Sequence, residues 1–140
     1  MKPNLLRVTL AVVEFEVLVA AVRHAGHRVG WLDLGDPSSE APGPLPEELA
    51  TAADLGALRA VSVAGGRSVA IKPLRGAPVL RDLVREHFRG CRLVLVRGTV
   101  EAPTLEPEDG GWRVRRADGR SFPLSTEELV TRLNRPQPWG

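Results

Sequence analysis

The sequence predicts an α+β domain with a mixed sheet and with helices packed mainly on one face of that sheet. Short segments in which apolar residues alternate with other residues predict strands, and segments in which apolar residues recur at helical spacing separate them. Later in the chain, two glycine-containing turns each join a pair of strand-like segments, which is the pattern of β-hairpins.

The N-terminal elements are predicted to form a β-α-β unit. Alternation over residues 6–12 predicts a first strand, and residues 27–34 predict a second. Between them, apolar side chains recur every three or four positions from Phe15 to Val22, which predicts a helix that ends at Gly26.

A loop and a short helix are predicted next. Residues 35–46 hold four prolines and two glycines, a composition typical of a loop. Pro46, followed by Glu47 and Glu48, favours the start of a helix, because proline suits the first helical position and acidic side chains suit the positive end of the helix dipole.

The register of the first hairpin is predicted from its apolar residues. A three-residue loop over residues 64–66 would place Val61 and Val63 on one face with Val69 and Ile71. We therefore expect that loop, with a glycine at its left-handed position.

In the second hairpin, a three-residue loop over residues 117–119 would align Trp112 and Val114 with Leu124 and Phe122. We therefore expect these four side chains on one face.

Three further elements complete the prediction. A helix over residues 78–89 has an inner stripe that includes His87, and residues 91–96 form an apolar, central strand. A last helix begins at Ser125, because Ser125 and Glu128 have the spacing of a capping box.

The predicted order is β-α-β-(α)-β-β-α-β-β-β-α. A ferredoxin-like β-α-β-β-α-β core with a C-terminal hairpin and helix fits it, and so does another mixed three-layer sheet. We expect a single domain over residues 1–134. Residues 135–140 are expected to form a tail that exposes Trp139 to solvent.

The middle of the chain is strongly basic. Residues 58–100 hold nine basic and two acidic residues, whereas residues 1–57 hold four basic and eight acidic ones. This distribution favours an anionic partner. The predicted strands between residues 58 and 72 contain no aromatic residue, which argues against a sheet that stacks RNA bases on aromatic rings.

Six residues between positions 72 and 89 are candidate anion ligands. A strand end leads here through a glycine-containing loop to a helix N-terminus, where peptide dipoles already favour an anion. Acidic residues are common at such a position, yet this chain has cationic ones there and at every fourth position of the helix that follows. The candidates are Lys72, Arg75, Gly76, Arg81, Arg85 and Arg89.

A solvated arginine stripe is the alternative interpretation of the same residues. Asp82 and Glu86 each lie three positions before an arginine, Arg85 and Arg89, so ion pairs along the helix would neutralise part of the charge.

The pattern predicts a non-catalytic binding or assembly module whose basic central face contacts an anionic partner. The partner is an acidic protein surface, a phosphorylated ligand or a nucleic-acid backbone, since arginine binds carboxylates and phosphates alike. The alternative is a small enzyme that acts on a phosphate- or carboxylate-bearing metabolite bound over residues 72–78. His87 and Asp36 are its only candidate acid–base groups, and no spacing connects them.

Other reactive side chains have structural interpretations. His24 and His27 are separated by Gly26, so they are not expected to share a helix face toward a metal. Cys91 begins an apolar run, as a buried structural cysteine would. The sequence therefore indicates no metal site and no identifiable cofactor.

A cytoplasmic location without a membrane partner is expected, and a homo-oligomer is compatible with the sequence. The single cysteine forms no internal disulfide, and no apolar run reaches the roughly 20 residues that span a bilayer. The apolar run near the N-terminus contains Glu14 and Glu16, which is unlike a signal peptide.

Overall fold

The structure is a computed structural model that describes residues 2–34, 47–74 and 76–140. The loop predicted over residues 35–46 and the candidate Arg75 lie outside the described residues. The helices are a 3₁₀ turn (Val12–Phe15), α1 (Glu16–His24), α2 (Glu47–Asp54), α3 (Leu80–His87) and α4 (Thr126–Arg132). None of the described helices has both the length and the apolar character needed to cross a lipid bilayer.

The described strands form two sheets. The strands are β1 (Asn4–Val8), β2 (Val29–Asp33), β3 (Ala60–Ala64), β4 (Arg67–Ile71), β5 (Leu93–Arg97), β6 (Thr104–Glu108), β7 (Gly111–Arg115) and β8 (Ser121–Leu124). Six of them form a main sheet in the order β2-β5-β1-β6-β7-β8. β2, β5, β1 and β6 are parallel, and β7 and β8 continue the sheet as an antiparallel meander. The predicted α+β class with a mixed sheet is confirmed.

The ferredoxin-like arrangement is not confirmed. That core would place the first hairpin in the main sheet, but β3 and β4 pair with each other in a separate two-stranded sheet. The neighbours of β1 are β5 and β6, and both run parallel to it. β5 is central, as predicted, and its residues from Leu93 to Val96 are all buried.

α1 and α4 pack together on one face of the main sheet. Phe15, Leu18 and Val22 are fully buried there, which confirms the predicted apolar stripe of α1. Trp112 of β7 stacks on Phe15 with 5.7 Å between ring centroids. The core therefore lies between this helix pair and the sheet.

α3 is associated with the opposite face. A Cβ added to Gly30 in β2 would lie 2.3 Å from the ring of Phe88, at the C-terminal end of α3. Val29 and Trp31, the neighbours of Gly30, pack toward the α1 side, and successive strand residues point to opposite faces. Phe88 thus covers the second face, whereas His87, expected on the inner stripe, is exposed. The prediction that the helices pack on one face of the sheet therefore holds for α1 and α4, whereas α3 contacts the opposite face.

The predicted three-residue loop of the first hairpin is wrong. Ala64 pairs directly with Arg67, so the loop is the glycine pair 65–66, whose φ angles are +58° and +74°. Two successive left-handed residues form a type I′ turn, whose twist matches that of the flanking strands. Because the loop is one residue shorter than expected, Val61 and Val69 lie on opposite faces of the hairpin.

The predicted register of the second hairpin is confirmed. Trp112 pairs with Leu124, and Val114 pairs with Phe122. The strand before this hairpin, β6, was not predicted. Its sequence contains Pro107 between two glutamates, a composition that does not favour a strand.

The predicted tail is packed against the core. Trp139 is only 9% exposed and joins the same hydrophobic cluster as Leu129 and Leu133 of the α4 region. The Arg132 guanidinium donates a hydrogen bond to the Pro138 carbonyl at 3.2 Å. The expectation that solvent surrounds Trp139 is therefore wrong, because the indole covers apolar surface beside α4.

Candidate functional site: an arginine-lined groove

A groove of about 640 Å³ lies between α3 and the N-terminal end of β1. Half of its lining residues are apolar and the other half are cationic. The apolar ones are Pro3, Leu5, Leu80 and Val84, and the cationic ones are Lys2, Arg81, Arg85 and Arg89. No carboxylate is among these lining residues. We call this site the arginine groove.

The periodicities of a helix and a strand bring these side chains together. Arg81 and Arg85 are one helical turn apart, about 6 Å along the axis, and the apolar residue before each of them lines the groove beside it. Leu5 lines the groove because its neighbour Leu6 points into the core on the α1 side.

Arg85 and Arg89 have no carboxylate partner in the described part of the chain. No carboxylate oxygen among the described residues lies within 4.0 Å of either guanidinium. Arg81 is 3.9 Å from Asp82, and both of these side chains are largely exposed, so this pair is weak. The ion pairs that the solvated-stripe interpretation expects from Asp82 and Glu86 to the next arginines are not formed.

Lys72 belongs to a different cluster, around Glu86. Its Nζ donates hydrogen bonds to both Glu86 carboxylate oxygens at 2.8 Å, and Arg59 Nη2 is 3.7 Å from Glu86 Oε1. The hydrogen bond from Lys72 is the main cause that lowers the pKa of Glu86 below its ordinary value, while desolvation opposes it. Glu86 thus connects α3 to the base of the β3–β4 hairpin.

The structure therefore assembles only part of the predicted cationic set. Three of the arginines line the groove, while Lys72 forms an ion pair outside it. Gly76 is exposed with φ at +72°, and no atom lies within 4 Å of the position that its Cβ would take. Arg75 lies outside the described residues.

The contribution of Lys2, Pro3 and Leu5 was not predicted from the sequence. These residues are far from α3 along the chain, and they reach it because Asn4 pairs with Leu93 at the start of β5, soon after α3 ends. No local motif signals this contact, since it depends on which strands become neighbours.

A second cleft, of about 670 Å³, also contains arginines, at the other end of β1. Two of its arginines have carboxylate partners: Arg115 lies 3.6 Å from Glu106, and Arg116 lies 3.3 Å from Asp118. Arg7 also lines it, with a buried Nε that makes no hydrogen bond among the described residues. Its positive charge is thus partly neutralised by ion pairs, whereas Arg85 and Arg89 of the arginine groove have no such partner among the described residues.

Of the two candidate groups of the enzyme alternative, His87 does not line the groove. The exposed His87 ring lies edge-on to Phe88 at 6.3 Å between centroids, and Asp36 is outside the described residues. Among the described residues, no three His, Cys, Asp or Glu side chains are grouped to hold a metal. Cys91 is partly buried. The enzyme alternative remains a prediction.

Comparison with known proteins adds no assignment, since no protein-family model matches the chain and no curated protein is significantly similar to it in sequence.

Proposed function

We propose that the chain is a non-catalytic binding module whose arginine groove holds an acidic, partly apolar segment of a partner protein. The observation that carries this proposal is the composition of the groove: four cationic side chains, four apolar residues and no carboxylate among the residues that line it. Because like charges one turn apart on a helix repel each other, an anion in the groove stabilises this arrangement.

The apolar half of the groove favours a protein segment over a nucleic-acid backbone. A phosphodiester chain offers anionic oxygens but little apolar surface for Leu5, Leu80 and Val84. The groove lining also contains no aromatic residue on which a base would stack. An acidic protein segment supplies both carboxylates and apolar side chains.

The spacing of the arginines matches that of a helical partner. Arg81 and Arg85 are separated by about 6 Å along α3, which is also the distance between acidic residues one turn apart on another helix. A guanidinium binds a carboxylate through two parallel hydrogen bonds, so two such pairs define an orientation. Apolar residues of the partner then face the apolar lining of the groove.

Charge reversal tests this proposal. The variant Arg85→Glu/Arg89→Glu changes the groove, and Arg120→Glu/Arg135→Glu is the matched control, because both control residues are exposed and the net charge change is equal. The probe is a fluorescent helical peptide with glutamate and leucine on one face, and binding is measured by anisotropy at low and physiological salt. We expect the groove variant to lose about tenfold or more in affinity, or about 1.4 kcal/mol, and the control to retain it.

Two outcomes contradict the proposal. An equal loss in the control variant shows that binding depends on net charge rather than on the groove. Tighter binding of a single-stranded oligonucleotide with the same charge as the peptide assigns the groove to a nucleic-acid backbone. Replacing Val84 by serine adds a further check, since it should weaken the peptide binding that persists at high salt, where ion pairs are screened.

A further inference from the structure

Within the described part of the chain, β3 has an open hydrogen-bonding edge. It pairs with β4 on one side, and no backbone hydrogen bond joins it to any other described segment. Val61 and Val63, which share one face of the strand, are 54% and 74% exposed. A two-stranded sheet alone is marginally stable in water. Contacts with α2 support this one, and a further strand would extend it.

Nothing in β3 protects this edge. Proteins usually place charged residues or proline on exposed edge strands to prevent pairing with another chain. The five residues of β3 are Ala-Val-Ser-Val-Ala, without a charge or a proline. β4, in contrast, begins with the charged Arg67.

The sequence of β3 is also its own reverse, so an antiparallel pair of two copies centred on Ser62 places each side chain opposite one of the same type. We infer that β3 pairs with β3 of a second copy of this chain around a two-fold axis at Ser62, forming a four-stranded sheet. A two-fold contact requires the same patch to be complementary to itself, and this register satisfies that requirement. Each Val61 then lies opposite a Val63 of the other copy.

The backbone of β3 is in phase with this pairing. The two residues that flank a type I′ turn exchange two backbone hydrogen bonds, so Ala64 and Arg67 form a hydrogen-bonded pair. From there, non-hydrogen-bonded and hydrogen-bonded pairs alternate along the two strands. The amide and carbonyl groups of Val61 and Val63 consequently face the open edge. In the symmetric register, Val61 of one copy forms a hydrogen-bonded pair with Val63 of the other. The amide and carbonyl groups that face the open edge thereby find partners in both copies.

The surrounding charges are compatible with the same register. Arg59 falls opposite the turn residue Gly65 of the second copy, and Arg67 lies on β4, on the side of β3 away from the second copy. No two like charges are therefore directly opposed across the pair of strands, where they would be destabilising.

Cross-linking tests the register directly. In a Cys91→Ser background, Ser62→Cys places two thiols opposite each other in a non-hydrogen-bonded pair, with Cα atoms about 4.5 Å apart, within the range of a disulfide. Ser68→Cys on β4 is the matched control, because two β4 strands in the four-stranded sheet are about 14 Å apart. Under mild oxidation we expect a disulfide-linked dimer from Ser62→Cys and little from Ser68→Cys.

A charge-exchange series tests the same contact by light scattering over a dilution series. The wild-type chain is expected to be a dimer. Val61→Lys/Val63→Lys should be monomeric, since each lysine faces another, while Val61→Lys/Val63→Glu should restore the dimer, since each lysine faces a glutamate. Both valines are exposed within one chain, so circular dichroism should show the same fold in all variants.

A monomeric wild-type chain overturns the inference, and so does a dimer that the lysine pair leaves intact or that Ser62→Cys fails to link. The lining residues of the arginine groove lie in α3 and near the start of β1, so peptide binding and dimerisation are measured separately and either proposal can fail alone.

Discussion

Trp112 and Trp139 are both buried indoles, but only Trp112 has a hydrogen-bond partner among the described residues. Its Nε1 donates to Thr126 Oγ1 at 2.9 Å, whereas the buried Nε1 of Trp139 has no acceptor. An unsatisfied buried donor costs about 1–3 kcal/mol. Trp139 therefore stabilises the fold through its apolar area and not through its polar group.

Replacing Trp139 by phenylalanine should change the free energy of unfolding little, because removal of the unsatisfied donor offsets the apolar area lost with the smaller ring. Trp139→Ala should lower it by about 3–5 kcal/mol, since a buried aromatic side chain is lost. Urea unfolding measures both changes. Trp112→Phe is the control and should cost about 1 kcal/mol, because it leaves Thr126 unpaired. A loss in Trp139→Phe as large as in Trp139→Ala would show that the indole N–H is bonded.

Among the elements, α4 has the clearest local determinants. Ser125 Oγ accepts a hydrogen bond from the Glu128 amide at 3.1 Å, and Glu128 Oε1 accepts one from the Ser125 amide at the same distance. This reciprocal capping confirms the prediction. α3, by contrast, has no side-chain cap, and Val79 precedes it. Its position is set instead by the contacts of Phe88 and Glu86.

Ser125→Ala should destabilise the protein by about 1 kcal/mol, because the first turn of α4 loses an acceptor. Ser125→Asp should retain most of the stability, since aspartate also caps helices well. Thermal unfolding at neutral pH measures the difference. Equal losses in both variants would show that Ser125 acts through another contact.

The capping interaction between Ser125 and Glu128 predicts that the stability of the fold depends on pH. Hydrogen bonds from Ser125 lower the pKa of Glu128 below its ordinary value of 4.5. Because the pKa of Glu128 is lowered in the folded state, its capping interaction stabilises the fold fully above about pH 4.5, the ordinary pKa of the group. This stabilisation is lost as the pH falls through the folded-state pKa. Glu128→Gln should remove this part of the acid sensitivity in unfolding titrations. If Glu128→Gln loses as much stability at acidic pH as the wild-type chain does, Glu128 is not the source of this pH dependence.

At the scale of the whole molecule, Gly30 and Phe88 connect α3 to the main sheet. The ring of Phe88 occupies the space beside Gly30 where any other residue would place a Cβ, at 2.3 Å. This contact joins β2 to a helix that lies much later in the chain, and it sets how closely α3 approaches the sheet beside the arginine groove.

Gly30→Ala should lower the free energy of unfolding by about 1–3 kcal/mol, because a methyl group is forced against the ring. In the double variant Gly30→Ala/Phe88→Leu, the smaller side chain leaves room for that methyl group, so the two losses should be less than additive. A double-mutant cycle from denaturant unfolding measures this coupling. Additive losses would show that the two residues do not interact.

The two hairpins show which part of the fold is predictable from local sequence. In the second hairpin, large apolar residues on one face define the register, and the structure has that register. In the first hairpin both faces carry small or β-branched residues, so the pattern does not distinguish them, and the type I′ turn sets the register instead. β6 was not predicted because it contains two glutamates and Pro107, residue types that are uncommon in strands.

The α+β class, the apolar stripe of α1, the cap of α4 and the arginine spacing of α3 were predicted from local patterns, because periodicity and capping act between residues close in the chain. Three features follow from the packing of distant segments: β5 lies between β1 and β2, Trp139 is buried, and Lys2 joins the arginine groove. These outcomes depend on which surfaces meet once apolar area is buried, and contacts between distant residues have no spacing that a linear pattern can show.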